Sequence, residues 1–150
     1  MPLLQLYTNI GQLSVEEKQE IASTLTGIYA KIMPEFFVTI IFHELPHGSF
    51  FVGSKPADGK FVRFHAEHIA VNWNEDRARA NAYLDWLGGV LKERFEPKGW
   101  TWEFNVVETD RHLWRVQSIV PPPIGSEALK TWETAGKGIP WEEEQANGKL

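Results

Sequence analysis

The residue that most invites a chemical reading is Pro2. Proline beside an initiator methionine normally leads to removal of that methionine, which would leave a secondary amine at the head of the apolar segment Pro2-Leu-Leu-Gln-Leu-Tyr-Thr8. A strand holds such an amine in place, because it has no flexible stem. Desolvation and nearby cations disfavour its protonated form, so it becomes a general base near neutral pH; protonated, it acts as an acid. Against this stands the plain fact that many proteins begin Met-Pro. Arg115, next to Trp114, is a second candidate: it either grips an acidic substrate through a bidentate contact or stacks on the indole as a surface arginine. Arg63 reads as pointing to solvent or to a subunit interface. The five histidines are His43, His47, His65, His68 and His112. His65 and His68 do not share a strand face, and no carboxylate cluster accompanies them, so no metal site is expected. The chain has no cysteine, which excludes disulfides, thiol nucleophiles and thiolate metal sites.

The elements that must position these groups form a repeated pattern. After the first strand, Ser14-Val-Glu-Glu17 has the spacing of a capping box. Ile21, Leu25, Ile28 and Ile32 then share one helical face, and Pro34 is placed to stop that helix. Phe36 to Leu45 reads as a strand closed by the turn Pro46-His47-Gly48. Beyond the turn-rich stretch Gly53 to Gly59, Lys60 to Val71 reads as a third strand. Asn74 is the expected cap of a second helix, with Glu75 and Asp76 favourable to its dipole. Ala80, Leu84, Leu87 and Leu91 repeat the earlier apolar spacing, Pro97 and Gly99 end it, and Trp100 to Glu108 is the fourth strand. The two caps lie 60 residues apart and the two stripes 59, which reads as a duplicated β-α-β unit. Each parallel pair should be joined by a right-handed crossover.

The fold expected is therefore α+β: two β-α-β units, residues 2–45 and 60–108, forming a four-stranded sheet with two helices on one face. A C-terminal arm, 112–150, completes a single domain of 150 residues. In the arm, Val120-Pro-Pro-Pro-Ile-Gly125 is a rigid extended run and Ser126 to Trp132 a short helix. Residues from Ile139 onward, with Glu142-Glu-Glu144, form a polar tail. Trp132 and Trp141, with little core of their own, suggest an arm that packs on a neighbouring subunit. An open sheet edge also asks for a partner, so an oligomer is expected. The chain is 43% hydrophobic, carries seven tryptophans and nine phenylalanines, and has a formal charge of -5, enough for a core and wrong for nucleic acid. No apolar run reaches membrane-spanning length and no signal segment is evident, so neither a membrane nor a nucleic-acid partner is expected, and the cytosol is the default location.

Pro2 to Tyr7, Leu13 to Lys18, and Phe36 to Pro46 followed by Phe51-Val-Gly53 together resemble, in order and spacing, the tautomerase superfamily. The length and the late proline-rich run look most like its cis-3-chloroacrylic acid dehalogenase-like branch. The resemblance covers residues 2 to about 123 and implies a homotrimer, no cofactor or metal, and a site around each terminal proline. Transferred residue by residue, the catalytic proline falls on Pro2 and the first-helix histidine on Tyr29, a neutral hydrogen-bond donor. The substrate-binding arginine pair falls near Ile69 to Asn72, where there is no arginine; Arg77, Arg79 and His68 are the nearby candidates for that space. The fourth-strand tyrosine falls on Phe104, and the water-activating glutamate on Arg115 or Trp114.

The resemblance thus implies a kept scaffold with altered chemistry. Pro2 and Tyr29 would be catalytic, and Arg115, Arg77, Arg79, His68, Asn72, Phe104 and Trp114 would bind a small 2-oxo or unsaturated carboxylic acid. The expected reaction is keto-enol tautomerisation or a related lyase or hydration step, without efficient dehalogenation. Two other readings stay open. One is a non-catalytic trimeric binding or signalling protein on this scaffold, as the likeness to macrophage migration inhibitory factor allows. The other is an interaction module whose Met-Pro start is accidental, which retention of Met1 would favour.

Overall fold

The computed structural model describes residues 1–69, 72–73 and 75–142. Strand β1 (Pro2–Asn9) alternates strictly: Pro2, Leu4, Leu6 and Thr8 are buried, and the residues between them are half-buried. Helix α1 (Val15–Tyr29) starts at the expected box, with Ser14 Oγ accepting from Glu17 N–H and the Glu17 carboxylate accepting from Ser14 N–H at 2.9 Å. Its buried residues are Ile21, Leu25 and Tyr29, so the inward stripe ends on a tyrosine. Two expectations need correction. The helix ends at Tyr29 and not at Pro34, because the amides of Ile32 and Met33 both turn back onto the Tyr29 carbonyl. Ile28 is consequently half-buried and Ile32 exposed.

A short 3-10 turn (Glu35–Phe37) then occupies the start of the predicted second strand, and β2 runs from Thr39 to Leu45. Within the stretch read as turns, β3 (Phe51–Val52) and β4 (Lys55–Pro56) pair as a small hairpin. Strand β5 (Phe61–Ile69) alternates like β1 and buries Val62, Phe64, Ala66 and His68. Asn74 lies outside the described residues; the cap of helix α2 (Arg77–Phe95) is Asp76, whose carboxylate accepts from Arg79 N–H at 3.0 Å. Leu87 and Leu91 are buried as expected and Phe95 joins them, while Ala80 and Leu84 are half-buried. Strand β6 (Thr101–Thr109) completes the second unit.

The four long strands form one sheet in the order β2-β1-β5-β6. Within each unit the strands are parallel, and the two units meet antiparallel through β1 and β5. Leu4, Leu6, Val62, Phe64 and Ala66 make a floor on which Ile21, Leu25, Leu87, Leu91 and Phe95 rest, so both helices lie on one face. The opposite face is polar: Tyr7 stacks on His43 with centroids 4.4 Å apart, His43 Nε2 and Gln5 Oε1 are 2.9 Å apart, and Arg63 pairs with Glu103 at 3.2 Å. Among the described residues no helix is long and apolar enough to cross a membrane.

The arm has more core of its own than its sequence suggested. Through residue 142 it packs on its own chain. Helix α3 (Glu127–Ala135), capped by Ser126, buries Leu129 and Trp132. Phe37, in the turn before β2, receives Trp114 and Trp132 at centroid distances of 4.8 and 6.1 Å. Both arm indoles find acceptors: Trp132 Nε1 donates to the Ile139 carbonyl at 2.6 Å and Trp141 Nε1 to Val120 at 2.7 Å. A tryptophan spaced from the main core in sequence looks unpartnered until Phe37 is seen to wait for it. Trp132→Ala should therefore destabilise the subunit by about 3–5 kcal/mol, read from urea unfolding at fixed protein concentration. A loss under about 1 kcal/mol would mean the arm contributes little to this core.

Candidate active site

The site follows from one piece of register. Met1 and Ile69 exchange two bonds: Ile69 N–H donates to the Met1 carbonyl at 2.9 Å, and the Met1 ammonium donates to the Ile69 carbonyl at 2.6 Å. The next pair inward, Pro2 with His68, is thus a non-hydrogen-bonded antiparallel pair. That is the narrow kind, with Cα atoms about 4.5 Å apart and both side chains on the same face. His68 is registered in turn with Glu108 on β6. Pro2, His68 and Glu108 form a row across three strands, at the end of the sheet where β1 begins and β5 and β6 finish.

Both helices reach over this end, α1 with its C-terminus and α2 with its N-terminus. They supply Tyr29, Tyr83 and Trp86. The two phenol oxygens are hydrogen-bonded to each other. Tyr29 lies 5.9 Å from the His68 ring and Tyr83 4.6 Å, with Trp86 edge-on to Tyr29 at 6.2 Å. Trp73, between β5 and α2, closes the side. Its backbone N–H donates to Glu108 Oε1 at 2.6 Å, and its indole stacks on His68 at 5.0 Å with an 18° interplanar angle. His68, only 4% exposed, thus sits among aromatic rings with Pro2 beside it.

Of the residues singled out in the sequence, Pro2, Tyr29 and His68 come together. Asn72 adjoins Trp73 and is exposed; Arg77 and Arg79 are exposed in the first turn of α2, at the same end of the sheet. Three others go elsewhere. Phe104 lies under α2, where a Cβ on Gly88 would meet its ring at 3.7 Å, so it is a packing residue. Trp114 is buried against Phe37. Arg115 folds back on its own loop, donating to the His112 and Trp114 carbonyls at 2.7 and 2.8 Å. Trp73, Tyr83, Trp86 and Glu108 were missed. Glu108 carried a signal: Trp102, Phe104, Val106 and Glu108 alternate along one strand face, but its partner on β5 is not readable from one chain. Among the described residues, no group of three or more His, Asp or Glu side chains is placed to hold a metal ion.

Residues 1–137 match the family model described as "Putative oxalocrotonate tautomerase enzyme". The chain belongs to this tautomerase family. Solved structures agree. A protein from the thermophilic fungus Aspergillus fumigatus, described as a probable enzyme, superposes with a TM-score of 0.85 at 32% identity, covering 94% of this chain and 98% of its own. Native RhCC from Rhodococcus jostii RHA1 gives 0.82 at 28% identity, covering 93% and 99%. N1, a member of the cis-3-chloroacrylic acid dehalogenase family, gives 0.67 at 18% identity, covering 87% and 89%, a likeness of fold. No curated protein matches the chain in sequence.

In this chain the sheet end is a strongly desolvating place. Burial lowers the Met1 amine from its ordinary value of 8.0 to about 5. Burial, then the neighbouring Tyr83, raises Tyr29 far above the ordinary phenol range, and burial raises Tyr83 to about 12. Both phenols are therefore neutral at physiological pH. One donates to the other, and the receiver's own proton remains available to a third group. The amine shift has a readable consequence. Between pH 5 and 8 the unfolded chain binds more protons than the folded one, so stability of the Met1-retaining form rises with pH across that window. The penalty is full below pH 5, absent above pH 8, and at most about 4 kcal/mol. Acetylating the Met1 amine should flatten this rise in chemical-denaturation midpoints; an unchanged slope would assign it to other groups.

Proposed function

We propose that the chain, once Met1 is removed, is a cofactor-independent tautomerase that uses Pro2 as general base on a small 2-oxo or unsaturated carboxylic acid. The observation that carries this reading is the fully buried Pro2, paired with His68 beneath the Tyr29–Tyr83 phenols. Removal of Met1 moves the free amine to Pro2, in the surroundings that already lower the Met1 amine. A desolvated amine is neutral near pH 7, and a neutral amine abstracts protons. That favours proton transfer at carbon over addition steps that need a protonated proline. The phenol pair supplies a donor toward developing enolate charge. Arg77 and Arg79, in the first turn of α2, would hold a carboxylate. The positions matched to the family's water-activating glutamate carry Trp114 and Arg115, and both are engaged in the arm, so dehalogenation is not part of the proposal.

The proposal takes the chain as one domain and the active form as a homotrimer. Support comes from the edge strands β2 and β6 and from the half-buried polar face opposite the helices, which suits a subunit interface. A chain that keeps Met1 is a different case. Its proline nitrogen is an amide without basicity, and its terminal amine donates to the Ile69 carbonyl, so no free amine faces a substrate and the binding-protein reading is favoured.

The test is ketonisation of phenylenolpyruvate by protein whose intact mass confirms loss of Met1. Pro2→Ala should lower kcat/KM by at least about 100-fold, and the Met1-retaining form should fall as far. Equal activity in all three would remove the amine from the mechanism.

A further inference from the structure

We propose that His68 is the second acid–base residue of this site, sharing one exchangeable proton with the Pro2 amine during turnover. The inference rests on the tautomerase reading above and deepens it. Its ground is placement. His68 is the side chain directly across from Pro2, in the narrow kind of antiparallel pair, on the helix-facing side of the sheet. At 4% exposure its ring is fixed by neighbours on every side. Trp73 stacks on one face, Tyr83 packs at 4.6 Å and Tyr29 at 5.9 Å. A ring held so closely does not swing away from the amine beside it.

The groups that face His68 set how it titrates. The Pro2 amine comes from β1, the Tyr29 phenol from α1 and the Tyr83 phenol from α2. Glu108 stands in the same register row on β6, and Trp73 comes from the connection. Arg77 and Arg79 lie further out, in the first turn of α2. Both phenols stay neutral, so Glu108 is the negative charge of the row and favours an imidazolium. The amine opposes it, since two adjacent cations disfavour each other. The pair therefore holds one proton over a range of pH and titrates as a unit.

One shared proton is what a keto-enol exchange needs. In enolisation, neutral Pro2 takes the proton from the carbon next to the carbonyl. The C–H electron pair becomes the new C=C bond, the carbonyl π pair moves to oxygen, and that oxygen takes a proton from the His68 imidazolium. The site is left with protonated Pro2 and neutral His68. Ketonisation runs backwards from that state: His68 accepts the enol O–H proton and Pro2 delivers one to carbon. The proton count is the same before and after, and exchange through solvent resets the pair.

The experiment compares processed wild type, Pro2→Ala, His68→Gln and His68→Ala in phenylenolpyruvate ketonisation across pH. His68→Gln should lower kcat about 100- to 10,000-fold and leave KM within about threefold. The bell-shaped kcat/KM profile of the wild type should lose one limb. A His68→Gln variant within about threefold of wild-type kcat, beside an inactive Pro2→Ala, overturns the role of His68 and leaves the Pro2 reading standing. Full activity in Pro2→Ala removes both. Should the His68 variants fail to fold, by circular dichroism and thermal melting, wild type alone decides. The imidazole carbon resonances of His68 must then titrate at one limb of its kcat/KM profile, and titration elsewhere overturns the proposal.

Discussion

The antiparallel junction of β1 with β5 is the constraint on which the rest depends. Each β-α-β unit is internally parallel, so neither alone brings the start of one strand beside the end of another. Only the junction does so, in a register that runs from Pro2 opposite His68 to Tyr7 opposite Arg63. A slip of one residue would turn Pro2, Leu4, Leu6 and Thr8 from the helix-covered face to the polar one. The same slip would take His68 away from Pro2. Because four core side chains of β1 and four of β5 must all face the helices, packing holds the register far more firmly than any contact at the site itself. The residues to which the proposed chemistry is assigned are thus placed by the core.

The aromatic cover works with that constraint. Tyr29 is at once the last buried residue of the α1 stripe and a member of the site, and Tyr83 and Trp86 sit on consecutive turns of α2. Burying this end excludes water from the amine and the imidazole, which disfavours the charged form of each. It also makes a charged terminus expensive there. Burial accordingly brings the Met1 amine, which donates to the Ile69 carbonyl, down to about 5, well below its ordinary value. Stability and reactivity at this point therefore have one physical source.

Much of the fold was legible because period and cap signals were local. The capping box at Ser14, the apolar run of β1, the two apolar stripes and the short helix from Ser126 all depend on residues within a few positions of each other. The two-unit plan and the placing of both helices on one face followed from the duplication and from the resemblance. What was not legible depended on pairing. Phe104 was carried into the site by alignment, yet its ring fills the space under Gly88. Arg115 looked like a free cation, but three-dimensional folding of its own loop supplied it with carbonyls. Trp132 seemed to lack a core because Phe37, some ninety residues earlier, is its partner. Glu108 and Trp73 needed both the β5–β6 register and the path of the connection, neither of which a single chain displays.

One local rule is broken at the site, and the breach is informative. The first turn of a helix favours acidic residues, because the unpaired amides there present about half a positive charge. Helix α1 obeys, with Glu16 and Glu17 in its first turn. Helix α2 does not: it has no acid in the first turn, and Arg77 and Arg79 stand there instead, with Asp76 as the cap. Each misplaced cation costs about 0.3–1 kcal/mol of helix stability. Nothing in the packing requires the arrangement, since both side chains are exposed. Under the proposed function the gain is electrostatic: beyond the acids Glu75 and Asp76 that precede them, the two guanidinium groups would meet the carboxylate of an acid substrate at the sheet end that holds Pro2 and His68. That role would account for a helix start that stability alone would have written differently.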